Sequence, residues 1–171
     1  MCMTDFHILY ERYAPLVRRF ALFLCGESAL ADDITSETFV RAWTAPGPIR
    51  DETVKAYLFT IARRLYIDSL RQARKHTVLT EALPDERVRV QEQAEMRSEL
   101  RFVLAAMQQL PELDRSVLLM RAQSEMSYAE IASELGLSIQ VVKVRIHRAR
   151  SRLMQLMNER SERSGESEKN S

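Results

Sequence analysis

Residues 127–153, SYAEIASELGLSIQVVKVRIHRARSRL, decide the fold of the C-terminal half. The spacing predicts two short helices joined at Gly136. Ile131, Ala132 and Leu135 give the first helix an apolar side. Gly136 supplies a residue that enters left-handed backbone space without a Cβ penalty. Ser138 is placed to cap the next helix through its hydroxyl. Val142, Ile146, Ala149 and Leu153 then recur at steps of four, three and four residues, one face of a 3.6-residue period. The opposite face carries Gln140, Val144, His147 and Ser151, flanked by Lys143, Arg148 and Arg150. An apolar side and a cationic side, set by a tight turn against a shorter partner, form a helix-turn-helix, which offers its second helix to the major groove of duplex DNA. A solvated basic hairpin would carry the same charges, so the rest of the chain has to decide between the two.

With 171 residues the chain has room for one ordinary domain or two small ones. Its 46% hydrophobic content is enough to bury a core. Gly and Pro are few, and no segment alternates polar and apolar residues as a half-buried strand does. The pattern predicts an all-α fold of two small helical domains joined by a flexible acidic linker, the C-terminal one a helix-turn-helix. A net charge of +1 conceals an uneven distribution: residues 50–75 and 143–152 are basic, while 32–37 and 81–99 are acidic. Local patches, and not the total, set the field that a phosphate backbone feels. Cys2 and Cys25 lack metal-ligand or redox spacing and the three His are scattered, so neither a metal nor a cofactor is expected. A signal peptide and an apolar run long enough to span a bilayer are both missing from the sequence. A cytoplasmic chain with reduced thiols and no membrane insertion is the expectation.

Along the N-terminal half, Leu9, Tyr13, Leu16, Val17, Phe20 and Leu24 form a helical stripe ended by Gly26. A second helix over 28–43 carries Ile34, Phe39, Ala42 and Trp43 on its apolar side, with Trp43 expected in the core. Asp32, Asp33, Glu37 and Arg41 are left for solvent or a partner. TAPGPIRDE (44–52) reads as a loop, after which Asp51 or Thr53 caps a long third helix running to Lys75. Leu58, Ile61, Ala62, Leu65 and Ser69 of that helix face inward. Thr60, Arg63, Ile67, Arg71 and Arg74 face outward with Arg64 beside them, and Phe59 and Tyr66 stand at the margin. Rings interleaved with cations suit unstacked bases and phosphates; rings at helical spacing equally serve helix packing. The boundaries that follow are a first domain at 1–75, a linker at 76–95 and a second domain at 96–157. A polar tail at 158–171 is too poor in apolar residues to order itself.

Three segments in order resemble the extracytoplasmic-function (ECF) group of bacterial RNA polymerase sigma factors. ADDITSETFVRAW (31–43) is similar to the segment that grips core polymerase. AYLFTIARRLYIDSLRQARK (56–75) resembles the segment that opens and reads the promoter minus-ten element. LPELDRSVLLMRAQSEMSYAEIASELGLSIQVVKVRIHRARSRL (110–153) resembles the domain that reads the minus-thirty-five element. The resemblance implies two partners, core RNA polymerase and promoter DNA, and an anti-sigma factor as a third. It assigns polymerase contact to Asp32, Asp33, Glu37 and Arg41. Minus-ten contact falls to Lys55, Phe59, Arg63, Arg64, Ile67, Arg71 and Arg74, with the loop at 46–53 capping a flipped base. In the second domain Gln140, Lys143, Val144, His147 and Arg148 become base readers, while Ser138 and Arg145 hold phosphates. Gln140, Val141 and Val144 depart from the small polar residues usual in this helix, and valine offers a base only apolar contact, for instance to a thymine methyl. The acids of the linker, Glu81, Asp85, Glu86 and Glu92, read either as an RNA mimic or as a solvated tether.

Two other classes compete with this reading. A stand-alone helix-turn-helix regulator would account for the C-terminal half and leave 32–37 and 63–75 without purpose. An enzyme would need a nucleophile–base pair, a metal cluster or a Gly-rich phosphate loop, none of which the sequence suggests.

Overall fold

The computed structural model describes residues 3–45, 54–79 and 98–169. Its described helices are α1 (Met3–Cys25), α2 (Ser28–Thr44), α3 (Val54–Leu79), α4 (Ser98–Gln108), α5 (Glu112–Gln123), α6 (Tyr128–Leu135) and α7 (Ile139–Lys169). No strand occurs among the described residues. The loop at 46–53 and most of the linker lie outside them, and His76–Leu79 continue α3 as helix.

Helices α1, α2 and α3 pack mutually around Val17, Phe20, Leu24, Ile34, Phe39, Leu58 and Ala62. Gly26 ends α1 at φ 77°, and its N–H donates to the Leu22 carbonyl at 2.8 Å. Thr35 and Thr38 are buried inside α2, where each hydroxyl donates to the carbonyl four residues back at 2.6 Å, so neither is left unsatisfied. Cys25 is partly buried, and burial pushes its thiol pKa up, as befits a packing residue.

Helix α5 is buried over seven consecutive residues, Asp114 to Met120. It is covered on several sides because α1 and α3 lie against it from one half of the chain and α6 and α7 from the other. One apolar cluster therefore runs from Val17 through Phe59, Leu110, Val117 and Ile131 to Ala149. The two modules anticipated from sequence are both present, and they share a packed boundary.

Three expectations are corrected by this packing. Phe59, taken as a minus-ten contact, is only 1% exposed and stacks on Phe20 with centroids 4.5 Å apart, so it is a core residue. Trp43, expected in the core, is 39% exposed and meets Phe6 edge-on at 4.7 Å, because it lies at the open end of the α1–α2 pair. The tail at 158–171, expected to be disordered, continues α7 as helix to Lys169. Local pairs support that extension: Gln155 donates to Glu159 at 3.1 Å, and the Arg160 guanidinium lies 4.5 Å from the Phe102 ring centroid on α4.

Candidate nucleic-acid interface

The helix-turn-helix is built from caps. Ser127 caps α6 by accepting the Glu130 N–H at 3.2 Å, while the Glu130 carboxylate accepts the Ser127 N–H at 2.7 Å. This reciprocal box satisfies two backbone donors. It also holds the Glu130 carboxyl below its ordinary pKa, chiefly through the Ser127 side-chain bond and then the backbone one. The S-x-x-E spacing was available in the sequence as its signal. At the other end Gly136 takes φ 64°, and the Leu137 N–H returns to the Ala132 carbonyl at 2.9 Å. Ser138 then accepts the Val141 N–H at 3.3 Å and opens α7.

Val142, Ile146 and Ala149 are buried, Leu153 is partly buried, and the opposite face of α7 is open. Gln140, Lys143, Val144, His147 and Arg148 all lie on that open face. Val144 is 54% exposed and shares a shallow, apolar-lined depression with Gln140, Val141, Arg145 and Arg148. Lys143 reaches back so that its ammonium lies 5.7 Å from the Tyr128 ring centroid, and Arg121 lies 5.0 Å from the same ring. Arg145, expected on a phosphate, donates instead to the buried Asp114 carboxylate of α5. Its neighbour there is thus part of the fold.

On α3 the expected minus-ten residues divide. Arg71 and Arg74 are exposed, and Arg71 pairs with Asp68 at 3.4 Å. Ile67 is half-buried. Lys55, Arg63 and Arg64 are each paired with an acid of the C-terminal half: Glu125 at 3.2 Å, Glu112 at 3.2 Å and Glu134 at 2.6 Å. Tyr66 is buried, and its hydroxyl accepts from Arg115 at 2.8 Å. Desolvation raises the Tyr66 pKa, with the Arg115 charge opposing. None of these acids, nor Arg115, was singled out from the sequence, since nothing local marks a partner 49 or 70 residues away.

On α2, Asp32 accepts two bonds from Arg18, at 2.6 and 3.3 Å, and Glu37 pairs with Arg41 at 2.9 Å. Asp33, Glu37 and Arg41 line an open groove between α2 and α3 that Arg71, Gln72 and Lys75 close from the far side. Val40 and Trp43 add exposed apolar surface on the same helix, a feature missed because Trp43 was read as core. Among the described residues no cluster of His, Cys, Asp and Glu is placed to hold a metal ion, and no helix is long and apolar enough to cross a membrane.

Sigma-70 region 2 matches residues 9–76 and sigma-70 region 4 matches residues 102–153. The chain is 33% identical over 145 residues to the ECF RNA polymerase sigma factor SigL of Mycobacterium tuberculosis, covering 82% of each. It is 30% identical over 152 residues to SigM of Bacillus subtilis, covering 88% of this chain and 93% of the relative. Among solved structures it is similar to the sigma factor RpoE in complex with the anti-sigma factor NepR from Bartonella quintana. The TM-score there is 0.72 at 24% identity, over 91% of this chain and 98% of that one. CnrH in complex with the cytosolic domain of CnrY gives a TM-score of 0.66 at 27% identity, over 92% and 90%.

Proposed function

The chain belongs to the ECF sigma factors of RNA polymerase, and from that premise we propose a division of labour among its helices. The protein directs core polymerase to specific promoters and starts their melting. In this reading α2 docks on core polymerase through Asp32, Asp33, Glu37 and Arg41. Rim charges of this kind set orientation and association rate more than affinity. Exposed Val40 and Trp43 supply the apolar part of the same contact.

The outer surface of α3 takes the minus-ten strand, with Lys55, Arg63, Arg64, Arg71 and Arg74 neutralising phosphates and Ile67 touching a base or sugar. Each phosphate neutralised adds about 0.7–0.9 to the slope of log affinity against log salt. Flipping one base costs a few kcal/mol, which contacts from the loop at 46–53 offset. The open face of α7 reads the minus-thirty-five element through Gln140, Lys143, Val144, His147 and Arg148, and Ser138 holds a phosphate. Each good bidentate base contact discriminates by about 1–3 kcal/mol. An anti-sigma protein completes the partner set, as both solved neighbours were captured with a protein partner. The cytoplasm is the proposed location, where polymerase and DNA are.

The observation that carries this reading is the succession of both sigma regions along one chain, the second ending in an α7 whose base-reading face is open. A stand-alone regulator is not favoured, because it leaves the region 2 match without a role. Reconstitution with core polymerase tests the division. Lys143→Ala with Arg148→Ala should abolish promoter-specific runoff transcription and leave co-migration with core intact. Asp33→Lys with Glu37→Lys should abolish co-migration with core and, with it, runoff transcription. Loss of co-migration in the folded Lys143→Ala, Arg148→Ala variant, or retained co-migration in the folded Asp33→Lys, Glu37→Lys variant, overturns the assignment.

A further inference from the structure

We propose that the depression beside Val141 and Val144 on α7 is a pocket for the 5-methyl group of a pyrimidine in the major groove. The protein then accepts thymine or 5-methylcytosine at that position and disfavours uracil and cytosine. This rests on the reading of α7 as the base-reading helix and deepens it by naming the chemical group that is read.

The exposed lining of the depression is apolar, although two of its five lining residues are arginines. Arg145 accounts for much of this. Its guanidinium donates at 2.5 Å to Asp114, a carboxylate buried on α5. The charge is thereby drawn beneath the helix, and the methylene stem is what remains as a wall. Val141 and Val144 supply further walls at 38% and 54% exposure, and neither belongs to the hydrophobic core. The Val141 N–H is already bonded to the Ser138 hydroxyl at 3.3 Å, so this residue offers a ligand its side chain and not its amide.

The surroundings give the class of occupant. Lys143, His147 and Arg148 stand on the same open face, and the whole face lies within the region 4 match, so the ligand is duplex DNA. A phosphate or a polar base edge needs a donor or an acceptor, which an apolar lining does not offer. The 5-methyl group is the apolar group that a base pair shows in the major groove. Gln140 stands one turn before Val144, and its amide both donates and accepts. It can therefore meet the O4 acceptor of thymine or the N4 donor of 5-methylcytosine, so the methyl group and not the group at position 4 decides the fit. Arg148, one turn after Val144, has donors only, which suits it to O6 and N7 of a guanine on a neighbouring pair.

The test uses the full chain bound to core polymerase and a duplex that this holoenzyme selects from a randomised pool. At each pyrimidine of the minus-thirty-five element, on either strand, separate duplexes carry thymine, uracil, 5-methylcytosine or cytosine, with the complementary purine opposite. At one position the wild type should lose about fourfold in affinity from thymine to uracil, and about as much from 5-methylcytosine to cytosine. That factor is equivalent to about 0.8 kcal/mol for one buried methyl group. Val141→Ser and Val144→Ser, each checked for an unchanged melting temperature, should bring both ratios toward one. Lys143→Ala should weaken binding to all the duplexes and leave the ratios as they are. Ratios near one at every position, or ratios that both valine variants leave unchanged, overturn the pocket while promoter selection stands. A methyl effect in the thymine–uracil pair that is missing from the cytosine pair overturns the acceptance of 5-methylcytosine. A holoenzyme that selects no such element, and on which Lys143→Ala and Arg148→Ala have no effect, overturns the pocket together with the reading of α7.

Discussion

Arg145 of α7 and Asp114 of α5 form an ion pair of 2.5 Å in which the carboxylate is 2% exposed and the guanidinium side chain 29%. The pair ties α7 to α5, which is buried over seven consecutive residues. The two partners are unequally buried, so the two truncations are unequal. Arg145→Ala leaves a buried carboxylate without its counter-charge and should cost about 3–5 kcal/mol. Asp114→Ala leaves a guanidinium that still reaches water, and its cost should fall below that range. Urea denaturation of both variants checks the order; the reverse order would mean that the pair does not anchor α7 as described.

The capping box at α6 gives a pH dependence with a definite sign. Glu130 is held below its ordinary pKa in the folded protein. Its contribution is therefore complete above the unfolded glutamate range and is lost as pH falls through the depressed value. The stability difference between wild type and Glu130→Ala should be largest near neutrality and shrink toward pH 3. Ser127→Ala, which removes the hydroxyl acceptor, should cost about 0.5–2 kcal/mol at neutral pH. Chemical denaturation at several pH values measures both.

Gly26→Ala combines two penalties. A left-handed residue with a Cβ costs roughly 1–2 kcal/mol, and that Cβ meets the Gln108 side chain at 2.8 Å. The melting temperature should fall, and Gln108→Ala in the same chain should recover part of the loss by removing the obstructing atoms. Gly136→Ala meets no such atoms, so its loss should be limited to the backbone penalty.

Val144 is exposed on the open face of α7, the face proposed to read bases. Val144→Ser should leave stability within about 0.5 kcal/mol and change base preference. The check is a duplex selected from a randomised pool by the holoenzyme, resynthesised with deoxyuridine replacing thymidine one position at a time. Wild type should lose affinity at one position where Val144→Ser does not, because only valine uses the missing methyl.

Legibility from sequence followed the number of neighbours each helix has. The inward stripe of α7, Val142, Ile146 and Ala149, was readable because that segment buries one side only. Gly136 and Ser138 were readable because turn and cap chemistry is local. Helix α3 was only half readable. Leu58, Ile61 and Ala62 fell as expected, but Thr60, read as outward, and Phe59, which stacks on Phe20 of α1, are buried as well. Helix α5 was least readable. Its buried Asp114 and Arg115 find partners 31 and 49 residues away, and no local pattern separates such charges from solvated ones. Of the candidate contacts, the exposed cations of α7 were legible as a set. The pairing of Lys55, Arg63 and Arg64 was not, because it depends on how two modules meet.

Tyr128, at the start of the helix that precedes α7, has the Lys143 ammonium 5.7 Å and the Arg121 guanidinium 5.0 Å from its ring centroid. In the proposed division of labour, the aim of Lys143 is thus set partly by a ring outside α7. Altered promoter choice in this lineage could arise from a change at residue 128 alone, with every side chain on the open face of α7 left as it is.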